Sequence, residues 1–258
     1  MYPRFANARR DEMFTFDQLG FLMPPSDWKK KGLIRRTIVL DAANLLWAAK
    51  DATKGDKLDA LSLLVIYRYF LVNDFNVRAF VGEKYTLANV VKNVACFAEL
   101  AGLDVFDELP STTYDDHALL QYCEEVDGII VSKDKYESEI DGSSDRIGLI
   151  ARSQRLIPNF HALPPNVHNT TSTDGHRVTN FKFDFETFKS DKFFASPQDV
   201  RYEIIKEQYE IFSDLDRKHI VETIDKMLDN PTSAVAMTRS REVGGEQMVL
   251  EALPDDDW

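Results

Sequence analysis

Residues 114–136, YDDHALLQYCEEVDGIIVSKDKY, hold a helical stretch that passes directly into a strand, and this order decides the fold class. From about Tyr114 to Val126 apolar residues recur at helical spacing, with Asp115 and Asp116 opening the helix. DGIIVS (127–132) is then continuously apolar, as strands buried on both faces are. Upstream, IRRTIVLDA (34–42) is a bounded, β-branched strand ending in an acid, and VRAFVG (77–82) and LDVFDEL (103–109) read as two more. Helices are expected from about Lys57 to Asn73 and over TLANVVKNVACFAELAG (86–102), the second closed by Gly102. Strands alternating with helices imply an α/β fold, a parallel sheet with right-handed crossovers and helices on both faces.

The flanks differ in composition. A polar leader (1–30) runs into the basic stretch Lys29, Lys30 and Lys31, with Arg35 and Arg36 close behind. The stretch from about His161 to Thr179 is rich in Pro, Asn, Thr and His and reads as a loop, and VTNFKFDF (178–185) alternates at period two as a hairpin or edge strand does. The main α/β domain is therefore drawn over 31–190. PQDVRYEIIKEQYEIF (197–212) and DLDRKHIVETIDKMLDN (214–230) read as two amphipathic helices, capped by Ser196 and by Ser213 or Asp214, forming a small helical appendage over 197–230. Residues 231–258 lack periodicity, close on PDDDW and read as a disordered acidic tail.

Composition excludes several classes. With 44% hydrophobic and 29% charged residues the chain is globular. MYPRFANARRDE (1–12) has no apolar core of a signal peptide, and the longest apolar run, Ala60 to Ile66 interrupted by Ser62, is too short for a bilayer. Cys96 and Cys123 lie in helical segments without a zinc-type neighbourhood, so they read as buried thiols of a cytoplasmic protein. His161, His168 and His176 fit no standard zinc spacing, and no GxxxxGK[ST], GxGxxG or GxSxG occurs. A net charge of −12 runs against a generic nucleic-acid binder, so any affinity for phosphates must come from a local basic track.

Functional residues of such sheets gather beyond the carboxyl ends of the strands. Asp41 closes the first strand, Asn44 follows three residues later, Asp115 and Asp116 open the helix after the third, and Asp134 follows GIIVS by two residues. Three strand ends thus deliver carboxylates to one edge. Carboxylates gathered in one place repel unless a hard cation neutralises them, and Mg²⁺ or Mn²⁺ suits an all-oxygen site whose chemistry is phosphoryl transfer. The competing reading is structural, because an Asp at a helix start is commonly a cap. Asp41 fits that reading least, since an acid ending a buried strand needs a partner for its charge. Lys133, Lys135, Arg152 and Arg155 are candidates for touching phosphate beside the site, or simply a solvated basic face.

VLDAANL (39–45), YDDHALLQYCEEVDGIIVSKDKY (114–136) and RLIPNF (155–160) together resemble the NYN-domain ribonucleases of the Regnase type, a branch of the PIN-like superfamily. The resemblance covers about Arg35 to Phe160 and is most specific in its middle block. It implies a metal-dependent endoribonuclease that cuts single-stranded RNA in mRNA decay or RNA silencing, with Asp41, Asp116 and Asp134 as Mg²⁺ (or Mn²⁺) ligands. Asp115 would belong to the same acidic cluster, Asn44 would orient the site, and Asp127 would hold the turn into the strand. The chain departs from the family pattern at Lys133, where an Asn is usual, and at Ser138, where a further acid is usual; Glu137 and Glu139 stand one residue to either side. The family's CCCH zinc finger has no counterpart. The terminal helices resemble the CUE-like module that closes some Regnase proteins, and so imply either a protein partner or a pair packed on the nuclease domain. The departures support an alternative, a pseudo-nuclease that binds RNA or a sister nuclease as a scaffold, and homo-oligomerisation remains compatible with both readings.

Overall fold

The computed structural model describes residues 32–141, 143–162, 181–185 and 190–229. The leader, the proposed tail and His168 and His176 lie outside the described residues. In chain order the elements are β1 (Ile34–Arg35), β2 (Ile38–Asp41), α1 (Ala42–Thr53), β3 (Leu58–Asp59), α2 (Ala60–Val72), β4 (Val77–Gly82), β5 (Val91–Lys92), α3 (Ala95–Gly102), β6 (Phe106–Leu109) and α4 (Asp115–Val126). They continue with β7 (Ile129–Val131), α5 (Glu137–Ile140), α6 (Asp145–Ser153), β8 (Arg155–Leu156), β9 (Pro158–Ala162), β10 (Phe181–Phe185), β11 (Phe194–Ala195), α7 (Tyr202–Glu210) and α8 (Asp214–Asp229).

Five parallel strands form the central sheet in the order β6-β4-β2-β7-β8, the α/β architecture expected. Because successive side chains alternate across a strand, β2, β4 and β7 feed two cores. Ile38, Leu40, Val77, Ala79, Val81, Ile129 and Val131 point into the larger core with residues of α1, α2, α3 and α8. Val39, Phe80 and Ile130 point the other way, against Leu119, Leu120, Cys123 and Val126 of α4 and Ile150 and Ala151 of α6. Both faces are covered, which is why the strands read as continuous apolar runs.

At the amino edge of the sheet the backbones of β2 and β7 approach closely. A Cβ on Gly128 would come within 2.8 Å of the Thr37 carbonyl, so the turn into β7 requires glycine. The preceding Asp127 ends α4 in the left-handed region, at φ 50°, and is 1% exposed. Its carboxylate receives Arg36 and Arg146, and Gln154 donates to it and to the Gly128 carbonyl. Arg36 also pairs with Asp199, just before α7, and Arg201 donates to the carbonyls of Glu124 and Glu125.

Helices α7 and α8 lie against the sheet domain. Ile220, Ile224, Met227 and Leu228 join the larger core, and Arg68 of α2 pairs with Asp225 at 2.5 Å. The buried Asn76 donates to the carbonyls of Gln208 and Tyr209 at the end of α7 and accepts from Arg217. Ser213 caps α8 reciprocally: its hydroxyl accepts from the Asp216 amide at 3.2 Å, and the Asp216 carboxylate accepts from the Ser213 amide.

Several local expectations are corrected. Helix α1, which begins directly after Asp41, was not among the expected helices. The helix expected over 86–102 forms only from Ala95, because Val91 and Lys92 pair in parallel with β3 and Asn93 takes φ 56°. Helix α2 starts at Ala60, where the Asp59 carboxylate accepts from the Leu61 amide. Ser196 caps nothing, since α7 starts at Tyr202 after a run of turns. His161 lies in strand β9, antiparallel to β10, instead of in a loop.

Candidate active site

The carboxyl edge of the sheet is organised around Asp41. It ends the central strand and is 6% exposed. One carboxylate oxygen accepts from the Asn44 amide at 3.1 Å, capping α1; the other accepts from the Ser132 hydroxyl at 2.7 Å and the Tyr136 hydroxyl at 2.9 Å. Burial pushes the Asp41 carboxyl up, the Ser132, Asn44 and Tyr136 donors pull it back, and the charge of Asp115 adds to the rise; the net shift is upward. Its three partners are neutral, so among the described residues no cation pairs with this carboxylate.

The segment after β7 closes on the same point. The Asn44 side chain accepts from the Lys133 amide at 2.9 Å, tying the start of α1 to the end of β7. Ser132 accepts from the Asp134 amide while donating to Asp41, and Asp134 accepts from the Tyr136 amide, making a tight Asx turn. That turn sets Tyr136 at φ 53°, which sends its fully buried side chain back under the site to Asp41.

Asp115 and Asp116 come from the other side, in the first turn of α4. Gly82, at the end of β4, leaves room for Asp115: a Cβ there would stand 3.2 Å from a carboxylate oxygen. Asp116 is half-buried. Burial first, then the charges of Asp41, Asp115, Asp134 and Glu139, push its carboxyl up to about 7. All four sequence-identified acids therefore share one electrostatic field, to which Glu139 adds a fifth.

Glu139, Ser132, Tyr136 and Tyr114 were not singled out as site residues by sequence. Glu139 sits on α5, 7% exposed, and accepts from the Ser138 hydroxyl at 2.7 Å and the Tyr114 hydroxyl at 2.9 Å. Burial alone would raise its carboxyl, but these donors hold it below the ordinary range, so it stays charged. A serine thus occupies the position of the missing family acid and orients the carboxylate beside it. The signal for Ser132 lay in DGIIVS (127–132), where a hydroxyl closes the apolar run; Tyr136 required the turn geometry.

The basic candidates are less concentrated on the site. The Lys133 side chain is exposed; Lys135 lies 3.7 Å from Glu137; Arg152 is exposed on the last turn of α6. The Arg155 guanidinium donates to the carbonyls of Ala151 and Lys133, fixing the strand ends.

A sequence profile of the Zc3h12a-like ribonuclease NYN domain matches residues 34–178, more than half of the chain. The chain belongs to this family. Its five-stranded parallel sheet flanked by helices is consistent with an NYN ribonuclease domain, a fold whose family function is RNA cleavage. No curated protein sequence matches the chain. Among the described residues no helix is long and apolar enough to cross a membrane.

Among the described residues no three Asp, Glu, His or Cys side chains stand close enough to ligate one ion directly. The donor set nevertheless suits a hard cation. It is all oxygen, and the upward shift at Asp116 marks a charge surplus that a divalent ion would relieve. Mg²⁺ binds through one or two carboxylates while keeping several waters, so three direct ligands are not required.

Proposed function

We propose that this NYN domain is a metal-dependent endoribonuclease acting on single-stranded RNA. The observation that carries the reading is the gathering of Asp41, Asp115, Asp116, Asp134 and Glu139 at the carboxyl edge of the sheet, which together with burial pushes the Asp116 carboxyl up to about 7. A charge left so poorly compensated contributes nothing to the fold, and perturbed acids gathered at a strand edge mark functional sites.

Asp116, with Asp41 and Asp134, would hold Mg²⁺ or Mn²⁺. When bound, the ion would lower the pKa of a coordinated water and neutralise charge on the scissile phosphate. The protein's own groups do the rest. Asp41 locks the start of α1, Ser132 and Tyr136 into one rigid unit. Asn44 holds the chain at Lys133, which fixes the height of Asp134. An unpaired strand suits the site because its backbone can bend to bring one phosphate to the acids.

Cleavage of a labelled single-stranded RNA by the purified chain in Mg²⁺ or Mn²⁺, beside Asp116→Asn and an EDTA control, tests the reading. Metal-dependent internal cuts that vanish in the variant are expected. Folded wild type that is inert in both metals would sink it. The spacing of the acids favours the second reading, a scaffold that binds RNA or a sister nuclease without cutting. The resemblance to the Regnase type supports a role in mRNA decay or RNA silencing in the cytoplasm, and transcript levels and localisation in cells lacking the protein are its first check. A partner at the terminal helices would bind the outer faces of α7 and α8.

A further inference from the structure

Tyr114 stands immediately before Asp115 and Asp116, at the N-cap of α4, with 55% of its surface in solvent. Single exposed apolar residues are ordinary. This one differs from Val200, Ile211 and Leu215, which are also exposed, because its ring is held. The hydroxyl donates to Glu139 at 2.9 Å, Glu139 is itself buried and held by Ser138, and His117 packs edge-on at 5.1 Å between ring centroids. A ring anchored at its tip and braced at its side has little rotational freedom left to lose when another flat group lies on it.

The chain also needs such a group. The net charge is −12, Arg155 is committed to carbonyls and Lys135 lies beside Glu137, so of the four basic candidates near the acids Lys133 and Arg152 are left to present exposed side chains to a phosphate. Stacking on an aromatic face adds affinity for a single strand that does not depend on charge, beside whatever basic contacts the backbone finds.

We infer that Tyr114 is the stacking platform for one unpaired nucleobase of the substrate, placed so that the phosphate next to that base lies over Asp115 and Asp116. The inference rests on the ribonuclease reading and adds a substrate-positioning residue to it. Glu139 and Ser138 are positioning residues that act through Tyr114. A duplex, whose bases are already stacked on each other, cannot use the platform, so Tyr114 also selects for unpaired RNA.

The test uses the full chain, a short single-stranded RNA carrying 2-aminopurine, and variants Tyr114→Ala, Tyr114→Phe and Tyr114→Trp, with Val200→Ser as a control far more exposed. Quenching of 2-aminopurine on binding reports stacking directly, and affinity is read from the same titration at two salt concentrations. Tyr114→Ala is expected to abolish quenching and to weaken binding by roughly ten- to a hundred-fold, the range measured for base–aromatic stacking. The loss should be nearly independent of salt, since no charge is removed. Tyr114→Trp should restore quenching, and Tyr114→Phe should keep part of it, because the ring remains but its anchor is gone. Wild type that binds without quenching, or Tyr114→Ala that binds as tightly as wild type, overturns the platform while leaving the nuclease reading intact. Wild type that neither binds nor cuts the RNA overturns both.

Discussion

The sheet holds a buried aspartate at each of its ends, and the two are treated in opposite ways. Asp127, at the amino edge, is met by Arg36 and Arg146 and by the Gln154 amide. Asp41, at the carboxyl edge, is met by two hydroxyls and one backbone amide, with four further carboxylates in the neighbourhood. Both are nearly sealed from water, so the contrast is one of partners and not of burial. Charge compensated inside the protein fixes structure; charge left uncompensated is available to something that arrives later.

The contrast can be broken most severely at Asp127. Asp127→Ala takes the shared carboxylate from the buried Arg36, which keeps Asp199, and from the half-exposed Arg146, and should cost about 3 kcal/mol, the low end for removal of one member of a buried ion pair. Urea unfolding of the variant would show it, and a loss below about 1 kcal/mol would mean that the network is not a stabilising one. Asp116→Asn should do the reverse. It should abolish most cleavage, by about a hundredfold or more, as loss of a central electrostatic group does, yet make the fold less sensitive to pH.

The sign of that effect follows from the raised carboxyl. In the fold Asp116 keeps its proton up to about 7 instead of its ordinary 3.8, so the folded state holds a proton that the unfolded chain has released. Stability from this group is therefore full below about 4, falls as pH rises through that window, and is gone above about 7. Urea midpoints at pH 5 and pH 8 should converge in Asp116→Asn relative to wild type, and Mg²⁺ added at pH 8 should raise the midpoint of wild type only.

Smaller effects sharpen the comparison. Tyr136→Phe removes one of the three donors to Asp41 and should cost about 1.5–3 kcal/mol, the range for a hydrogen bond to a charged group. Its thermal midpoint compared with that of Tyr122→Phe, a tyrosine away from Asp41, would show whether the carboxylate is the reason. Gly82→Ala should be the mildest, about 1 kcal/mol or less, because its Cβ stands 3.2 Å from an Asp115 oxygen that can give by a few tenths of an ångström. Its effect should appear in the cleavage rate more than in the unfolding midpoint.

The central architecture was legible because β2, β4 and β7 are buried on both faces, which leaves a continuous apolar run in the chain. The acids were legible because each follows such a run. Helix α1 was not, since AANLLWAAKDAT has a weak apolar stripe and its start is fixed by Asp41, a residue already given another role. The two-residue strands β5 and β8 were also missed; segments of that length carry no period to read, and β8 exists because β7 offers it a partner. Glu139 was passed over for its position in the sequence, one residue from where an acid was sought. The fourth residue after Asp134 and the fifth differ by a single step along the chain, and the short helix α5 brings the second one inward.

The ion pair between Arg36 and Asp199, and the seating of α8 on α2, set a schedule for the growing polypeptide. All five strands of the central sheet have been synthesised by residue 156, and the family match ends at residue 178. Part of the face of α2 is nonetheless closed by Ile220, Ile224, Met227 and Leu228 of α8. While the ribosome is still adding those turns, the nascent nuclease carries an open apolar flank, and its last cooperative step must wait until nearly all of the described chain has been made.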